Sequence, residues 1–226
     1  MQKDIKLLIF DLDDTLYLEK SFVKSGFLSV AKYLEKNFRI EKKELFKVFL
    51  KLLEKQGRGK IFDNALKKYN LYDKKLVQEL IQVYRTHKPN IKLYSGVTNL
   101  LKSLKKKYKL ALLTDGLGYV QRNKVKALKI EKFFDLIIYT DDYGRNNFKP
   151  SIYPFKKVLK YFNITPGSSI YVGDDPYKDF VGAKKLGIKT IRVLKGRYEK
   201  IRARRNFGAD YNVREIAEIK KLLKKY

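Results

Sequence analysis

With 226 residues, 44% of them hydrophobic, the chain is long enough to bury one large core or two small ones. It has no cysteine, no apolar run near the roughly 20 residues of a membrane span and no signal-peptide pattern before the first apolar run; disulfides and thiolate metal ligands are excluded, and a soluble cytoplasmic protein with no membrane partner is the expectation. The formal charge of +28 is spread over pairs and triplets such as Lys42-Lys43, Lys105-Lys106-Lys107, Lys184-Lys185 and Lys220-Lys221 on polar positions of apparent helices, so a solvated surface accounts for it before a nucleic-acid partner does.

The first predicted element is a strand over Leu7 to Phe10, a short apolar run of the kind that parallel sheets bury on both faces. Asp11, Asp13, Asp14 and Thr15 stand directly behind it. In open α/β sheets ligands lie beyond the carboxyl ends of the strands, and acids two residues apart in an extended chain point the same way. Such a pair repels itself unless a cation or a shared proton compensates, which suggests Mg²⁺ and phosphate chemistry. Taken alone, an Asp-rich turn is the simpler reading; the downstream motifs decide against it.

After Leu16 the pattern turns helical for roughly 70 residues. Val23, Phe27, Val30, Ala31 and Leu34 repeat at helical spacing, then Leu45 to Leu53, then Leu76, Val77, Leu80, Ile81 and Tyr84, with turn signals at Asn37 and at Gly57-Arg58-Gly59. The pattern predicts a helical bundle inserted over residues 17–90, ended by His87-Lys88-Pro89-Asn90. His87, the lone histidine, reads as a structural linker residue. Gly57-Arg58-Gly59-Lys60 reads either as a plain surface turn or as a flexible basic arm that reaches an anionic part of a substrate.

From Ser95 on, helix and strand alternate, as in a parallel sheet with crossover helices. Strands are expected at Leu110 to Leu113, Leu136 to Tyr139, Ser169 to Val172, Thr190 to Leu194 and within Ala209 to Val213. Helices are expected from about Gly96 to Tyr108, Val120 to Leu128, Ile152 to Phe162 and up to Gly187, with a last one at the end. Residues 1–16 and 91–226 together make the expected core.

Each of these strands ends in polar residues. Thr114-Asp115-Gly116 offers a hydroxyl and free backbone N–H groups to an anion, or equally an ordinary helix cap. Lys149 stands before Pro150, which suits the start of a helix. In Gly173-Asp174-Asp175-Pro176-Tyr177-Lys178-Asp179, Asp175 reads as a helix N-cap with Pro176 after it, which leaves Asp174 and Asp179 to be explained. Asp11, Asp174 and one backbone carbonyl would give Mg²⁺ the oxygen ligands it requires. The basic segment Lys195 to Arg205 should emerge on the same sheet edge, where it would draw in anionic substrates or, less economically, bind nucleic acid.

Asp11-x-Asp13-x-Thr15, Thr114, Lys149-Pro150 and Gly173-Asp174-x4-Asp179, in this order and each after a strand, resemble the motifs of the haloacid dehalogenase-like hydrolase superfamily, and the helical insertion resembles the cap of its phosphoglycolate-phosphatase-like branch. The resemblance covers essentially the whole chain. It implies an α/β fold, a Rossmann-like parallel sheet core with an inserted helical-bundle cap domain, and Mg²⁺-dependent hydrolysis of a small anionic phosphorylated substrate through an aspartyl-phosphate. By the same resemblance Asp11 is the nucleophile and Asp13 the general acid/base. Asp11, Asp174 and the Asp13 carbonyl hold Mg²⁺, Asp179 orients Lys149 or a metal-bound water, and Thr114 and Lys149 hold the phosphoryl oxygens beside Asp115 and Gly116, with Arg58 reaching from the cap. Asp115 departs from the usual Asn and adds charge near phosphate. Asp13 favours phosphate chemistry over dehalogenation. A phosphosugar mutase of the same superfamily and a nucleic-acid-binding protein remain the alternatives.

Overall fold

Strand β1 (Leu7–Phe10) forms where four consecutive apolar residues leave no polar face, and all four are fully buried. The computed structural model describes residues 4–204 and 207–224. Residues Lys20–Ile91 form one compact unit, and the residues on either side of it form the other.

The inserted unit holds α1 (Glu19–Phe38), α2 (Lys42–Gln56), α3 (Ile61–Lys68) and α4 (Lys74–Thr86). Val23, Phe27, Val30, Ala31 and Leu34 of α1 share one apolar cluster with Leu45, Val48 and Phe49 of α2, Phe62 and Leu66 of α3, and Val77 and Leu80 of α4. The rings of Phe27, Phe49 and Phe62 meet with centroids 5.4 to 6.1 Å apart. Each such burial stabilises by about 1.5–3 kcal/mol. Gly26 lets the Tyr84 ring lie against α1, since a Cβ there would come within 2.5 Å of it. Asp73 caps α4, accepting from the Leu76 N–H at 2.9 Å. Two boundaries differ from expectation: α1 runs through Asn37 and turns at Arg39 (φ 58°), and α3 was not foreseen as a helix.

The rest alternates as α5 (Val97–Leu104), β2 (Lys109–Thr114), α6 (Gly118–Leu128), β3 (Leu136–Tyr139), α7 (Tyr153–Phe162), β4 (Ser169–Gly173), α8 (Asp179–Lys185), β5 (Lys189–Val193), β6 (Tyr211–Val213) and α9 (Ile219–Leu223). The six strands form one sheet in the order β3-β2-β1-β4-β5-β6, every pairing parallel. This is a Rossmann-like α/β fold. Leu7 and Ile9 project to the side where Ala111, Leu113, Tyr171, Phe155 of α7 and Phe180 of α8 complete the core. The chain moves outward from β1 through β2 to β3, then returns to the other side of β1 at β4. The strand order therefore reverses between β1 and β4, and a crevice opens there at the carboxyl edge.

Two local expectations are corrected. Pro150 does not start a helix: α7 begins at Tyr153 with Pro154 in its first turn. Asp175 closes a turn by accepting from the Tyr177 N–H at 2.9 Å, and α8 starts only at Asp179, so Asp175 is not its N-cap. No helix among the described residues is long and apolar enough to cross a membrane.

Candidate active site

The Asp11 N–H donates to the Val172 carbonyl at 2.8 Å and extends the β1–β4 pairing by one residue, which fixes Asp11 at the sheet edge. Lys149 arrives from the segment after β3 with its side chain wholly buried. Its Nζ donates to Asp11 Oδ1 at 2.6 Å, to Asp179 Oδ1 at 2.8 Å and to the Tyr171 hydroxyl at 2.8 Å, so all three ammonium protons have acceptors. The Tyr171 hydroxyl in turn donates to Asp179 Oδ1, and Asp179 Oδ2 accepts the backbone N–H groups of Asp174 and Asp175. Gly173 makes room for this: a Cβ there would run into the Asp179 carboxylate.

Burial governs the charge states. It pushes the Asp11 carboxyl up to about 7, against the pull of Lys149 and with a push from Asp179. Burial alone would push the Lys149 ammonium down, but Asp11 and Asp179 outweigh it and hold Lys149 charged, well above its ordinary value. Asp179 goes the other way; burial is overcome by Lys149, Lys178 and the backbone donors, and it stays ionised. Asp174 is pushed well above the ordinary carboxylate range by burial, then by Asp179, Asp11 and Asp14. Oxygens of Asp11, Asp174 and Asp179 lie within 4.8 Å of one another. Three buried carboxylates facing one buried ammonium leave a deficit of positive charge that a divalent cation with oxygen ligands fits. Asp179 has its oxygens engaged by protein donors, so the acceptors with most capacity left belong to Asp11 and to Asp174, whose Oδ1 takes one 3.2 Å bond from Thr15. The Tyr94 hydroxyl, buried and without a protein partner among the described residues, feels the charges of Asp14 and Asp174 at the same crevice.

Asp13 has a different set of partners. Lys124 Nζ donates to both its oxygens, at 2.8 and 2.9 Å, Gln121 Nε2 donates at 3.0 Å and the Tyr17 hydroxyl at 2.5 Å. Burial would raise its carboxyl, but the Lys124 charge and these bonds hold it below its ordinary value. Gln121 Nε2 also reaches Thr114 Oγ1 at 2.6 Å. Thr114, Asp13 and α6 thus form one hydrogen-bonded group.

The charge of Asp115 is met by donors of the protein itself. Its Oδ1 accepts from Thr140 Oγ1 at 2.9 Å and from the Lys149 N–H at 3.2 Å, and its Oδ2 pairs with Lys178 at 3.6 Å. The acid therefore ties down the segment that delivers Lys149. Gly116 follows with φ 117°, a conformation that favours glycine, and leads into α6. Arg58 belongs to the helical unit, where it lines a cavity of about 310 Å³ with Lys60, Arg85, Phe62 and Tyr84. The basic segment after β5 sits at the carboxyl edge: buried Arg192 donates to the carbonyls of Asp174, Ile201 and Tyr198, and the Arg197 N–H donates to Asp14. Its last member, Arg205, lies outside the described residues.

The reading of the sequence missed Tyr17, Gln121, Lys124, Tyr171, Lys178 and Arg192. Lys124 carried a signal, because it sits on the apolar stripe of α6, four residues from both Val120 and Leu128. A lysine there is either an error of phase or a buried charge with a partner.

The model of the haloacid dehalogenase-like hydrolases matches residues 8–193. A glyceraldehyde 3-phosphate phosphatase of Methanocaldococcus jannaschii is 33% identical over 228 residues, covering 97% of each chain. One from Pyrococcus furiosus is 29% identical over 227 residues, covering 98% of this chain and 94% of that one. Among solved structures, a phosphatase from Thermococcus onnurineus superposes with a TM-score of 0.64 at 27% identity, over 97% of this chain and 98% of its own.

Proposed function

As a member of the haloacid dehalogenase-like hydrolase family, to which this chain belongs, the protein is a phosphatase, and we propose that it hydrolyses the phosphate monoester of a small cytoplasmic metabolite, a three-carbon sugar phosphate such as glyceraldehyde 3-phosphate, through a covalent intermediate on Asp11. The observation that carries this reading is Lys149 seated between Asp11 and Asp179 beside Asp174, at the reversal of strand order. The substrate class rests on the relatives from Methanocaldococcus and Pyrococcus, which match nearly the full length.

In this scheme an Asp11 carboxylate oxygen bonds to phosphorus as the ester P–O bond breaks. Asp13 gives its proton to the departing alkoxide. A water then attacks the aspartyl-phosphate, passes its proton to Asp13 and releases phosphate, which restores Asp11. Lys124 and its neighbours favour the ionised Asp13 that the second step requires, and the 22% exposure of the Asp13 side chain gives the proton a path to solvent for the first. Lys149 offsets negative charge on Asp11 and on the incoming phosphoryl oxygens, and Thr114 with the N–H groups near Gly116 holds those oxygens. Asp11, Asp174 and the Asp13 carbonyl would hold Mg²⁺, with Asp179 behind them; bound there, it supplies charge neutralisation between a carboxylate and a phosphate dianion. In the same scheme Arg58 of the inserted unit recognises the part of the substrate away from the phosphate.

The test is phosphate release from a panel of phosphorylated metabolites with Mg²⁺. The three-carbon aldehyde phosphate should give the highest kcat/KM, and excess chelator should stop turnover. Flat, slow turnover across the panel would remove the substrate assignment, and full activity in chelator would remove the metal.

A further inference from the structure

We infer that Lys124 is a positioning residue for Asp13, and that with Gln121 it locks the acid/base carboxylate in register with the phosphate-binding hydroxyl of Thr114. This deepens the proposed function and rests on Asp13 acting as acid and base there.

The geometry is that of a clamp. Lys124 grips both Asp13 oxygens at 2.8 and 2.9 Å, with only 5% of its side chain exposed. A lysine paired only to balance charge needs one such bond, whereas gripping both oxygens fixes the rotation of the carboxylate as well as its position. Gln121 lies one turn earlier on the same face of α6, and its amide nitrogen bridges Asp13 Oδ2 and Thr114 Oγ1. Tyr17 closes the set on Oδ1. One helix that follows directly from the Thr114 strand thus sets the distance between the group that holds the phosphate and the group that handles the leaving-group proton. A proton donor displaced by about 1 Å forfeits much of its effect, on the order of 10²-fold.

The position of Lys124 also separates it from Lys149. The two buried lysines serve the two acids of the Asp11-x-Asp13 motif, Lys149 from the segment after β3 and Lys124 from α6. A residue that positions the acid/base carboxylate should matter where the leaving group needs a proton and little where it does not. A residue that merely holds the fold should depress every substrate alike.

The experiment compares an alkyl phosphate with nitrophenyl phosphate in Lys124→Met, Lys124→Arg, Gln121→Leu, Asp13→Asn and Asp13→Asn/Lys124→Met, with folding followed by circular dichroism. Lys124→Met should lose about 10- to 100-fold in kcat on the alkyl ester, up to the lower limit of the roughly 10²- to 10⁴-fold worth of general acid–base catalysis because Asp13 itself remains, and under about fivefold on the aryl ester, with KM nearly unchanged. Lys124→Arg should recover part of the alkyl activity, and the double variant should be no worse than Asp13→Asn alone. Equal losses of Lys124→Met on both esters, beside an Asp13→Asn variant that is selective, would overturn the role of Lys124 and leave that of Asp13 standing. A non-selective Asp13→Asn would instead overturn the acid/base reading itself. Should Lys124→Met not fold, Lys124→Arg and Gln121→Leu decide by the same selectivity: a loss confined to the alkyl ester supports the clamp, and an even loss overturns it.

Discussion

The carboxyl edge of the sheet and the inserted helical unit solve burial in opposite ways. At the edge, Asp11, Lys149, Asp174 and Asp179 are all buried and charged or poised to be, and they are tolerable because the three Lys149 protons and both Asp179 oxygens meet other polar groups while Asp11 and Asp174 each accept a side-chain bond. In the helical unit the apolar cluster is built of Phe, Leu, Val, Ile and Ala, and the lysines lie outside it. In the first region a substitution that breaks a pair costs activity or stability, and its residues come from three different strand ends. The second needs only shape and volume. The proposed chemistry lies in the region whose stability is conditional on exact partners.

The comparison is broken most severely at Asp11. Asp11→Asn should lower phosphate release below detection while the protein remains folded, because it removes the nucleophile and at the same time relieves repulsion from Asp179 and Asp174. Residual turnover near that of the unaltered protein would end the covalent scheme.

A matched pair comes next. Lys149→Met strips the buried ammonium from Asp11 and Asp179 and should cost about 3–5 kcal/mol of stability with nearly all activity. Phe49→Ala, fully buried among Phe27 and Phe62, should cost a similar 3–5 kcal/mol or so, yet keep turnover per folded molecule within about tenfold. Denaturant midpoints and kcat measured side by side check both. If Phe49→Ala were as inactive as Lys149→Met under conditions where both are folded, the division of labour would be wrong.

The same contrast explains what the sequence made legible. The strand Leu7–Phe10 was plain because a fully buried parallel strand has no polar position to blur it. The helices α1, α2 and α4 were plain because each repeats its apolar spacing over several turns. Helix α3 was not: eight residues between Gly59 and Asn70 give Ile61, Phe62, Ala65 and Leu66, which is too short a run for a period to declare itself. At the edge, acids following strand ends were visible in order. Their partners were not, since Lys149 could be singled out only by its place in a motif, and Lys124, Lys178 and Arg192 are three cations among 52. Asp175 next to Pro176 suggested a helix start because capping rules are local, whereas α8 begins where Asp179 can reach under Gly173.

A smaller effect separates the two units by substrate. Arg58 lines the cavity of the helical unit with Lys60 and Arg85, beside the rings of Phe62 and Tyr84. Arg58→Ala should raise KM for the preferred metabolite by roughly 10-fold, the worth of about one charge-assisted hydrogen bond, and leave nitrophenyl phosphate almost unaffected. Unchanged kinetics on both would make the turn structural.

The smallest expected effect concerns the basic segment after β5. Arg192 fastens the carbonyls of Tyr198 and Ile201 to the edge, and the backbone of Arg197 is bound to Asp14, so the segment stands over the acids without supplying a ligand to them. The contribution expected of it is a field: Arg197, Arg202 and Arg204 should raise the local concentration of phosphorylated substrate and offset the acids for an approaching dianion. Raising ionic strength from about 0.05 to 0.5 M shortens the screening length from roughly 14 to 4 Å, so kcat/KM should fall several-fold while kcat holds. Replacing those three arginines by Gln should lower kcat/KM at low salt and flatten its salt dependence. A nucleic-acid site would behave otherwise, because neutralising several phosphates makes affinity fall by orders of magnitude over the same salt range. Tight DNA or RNA binding of that steep kind, competitive with the small substrate and lost in the triple variant, would show that the segment binds a polymer and does not steer a metabolite.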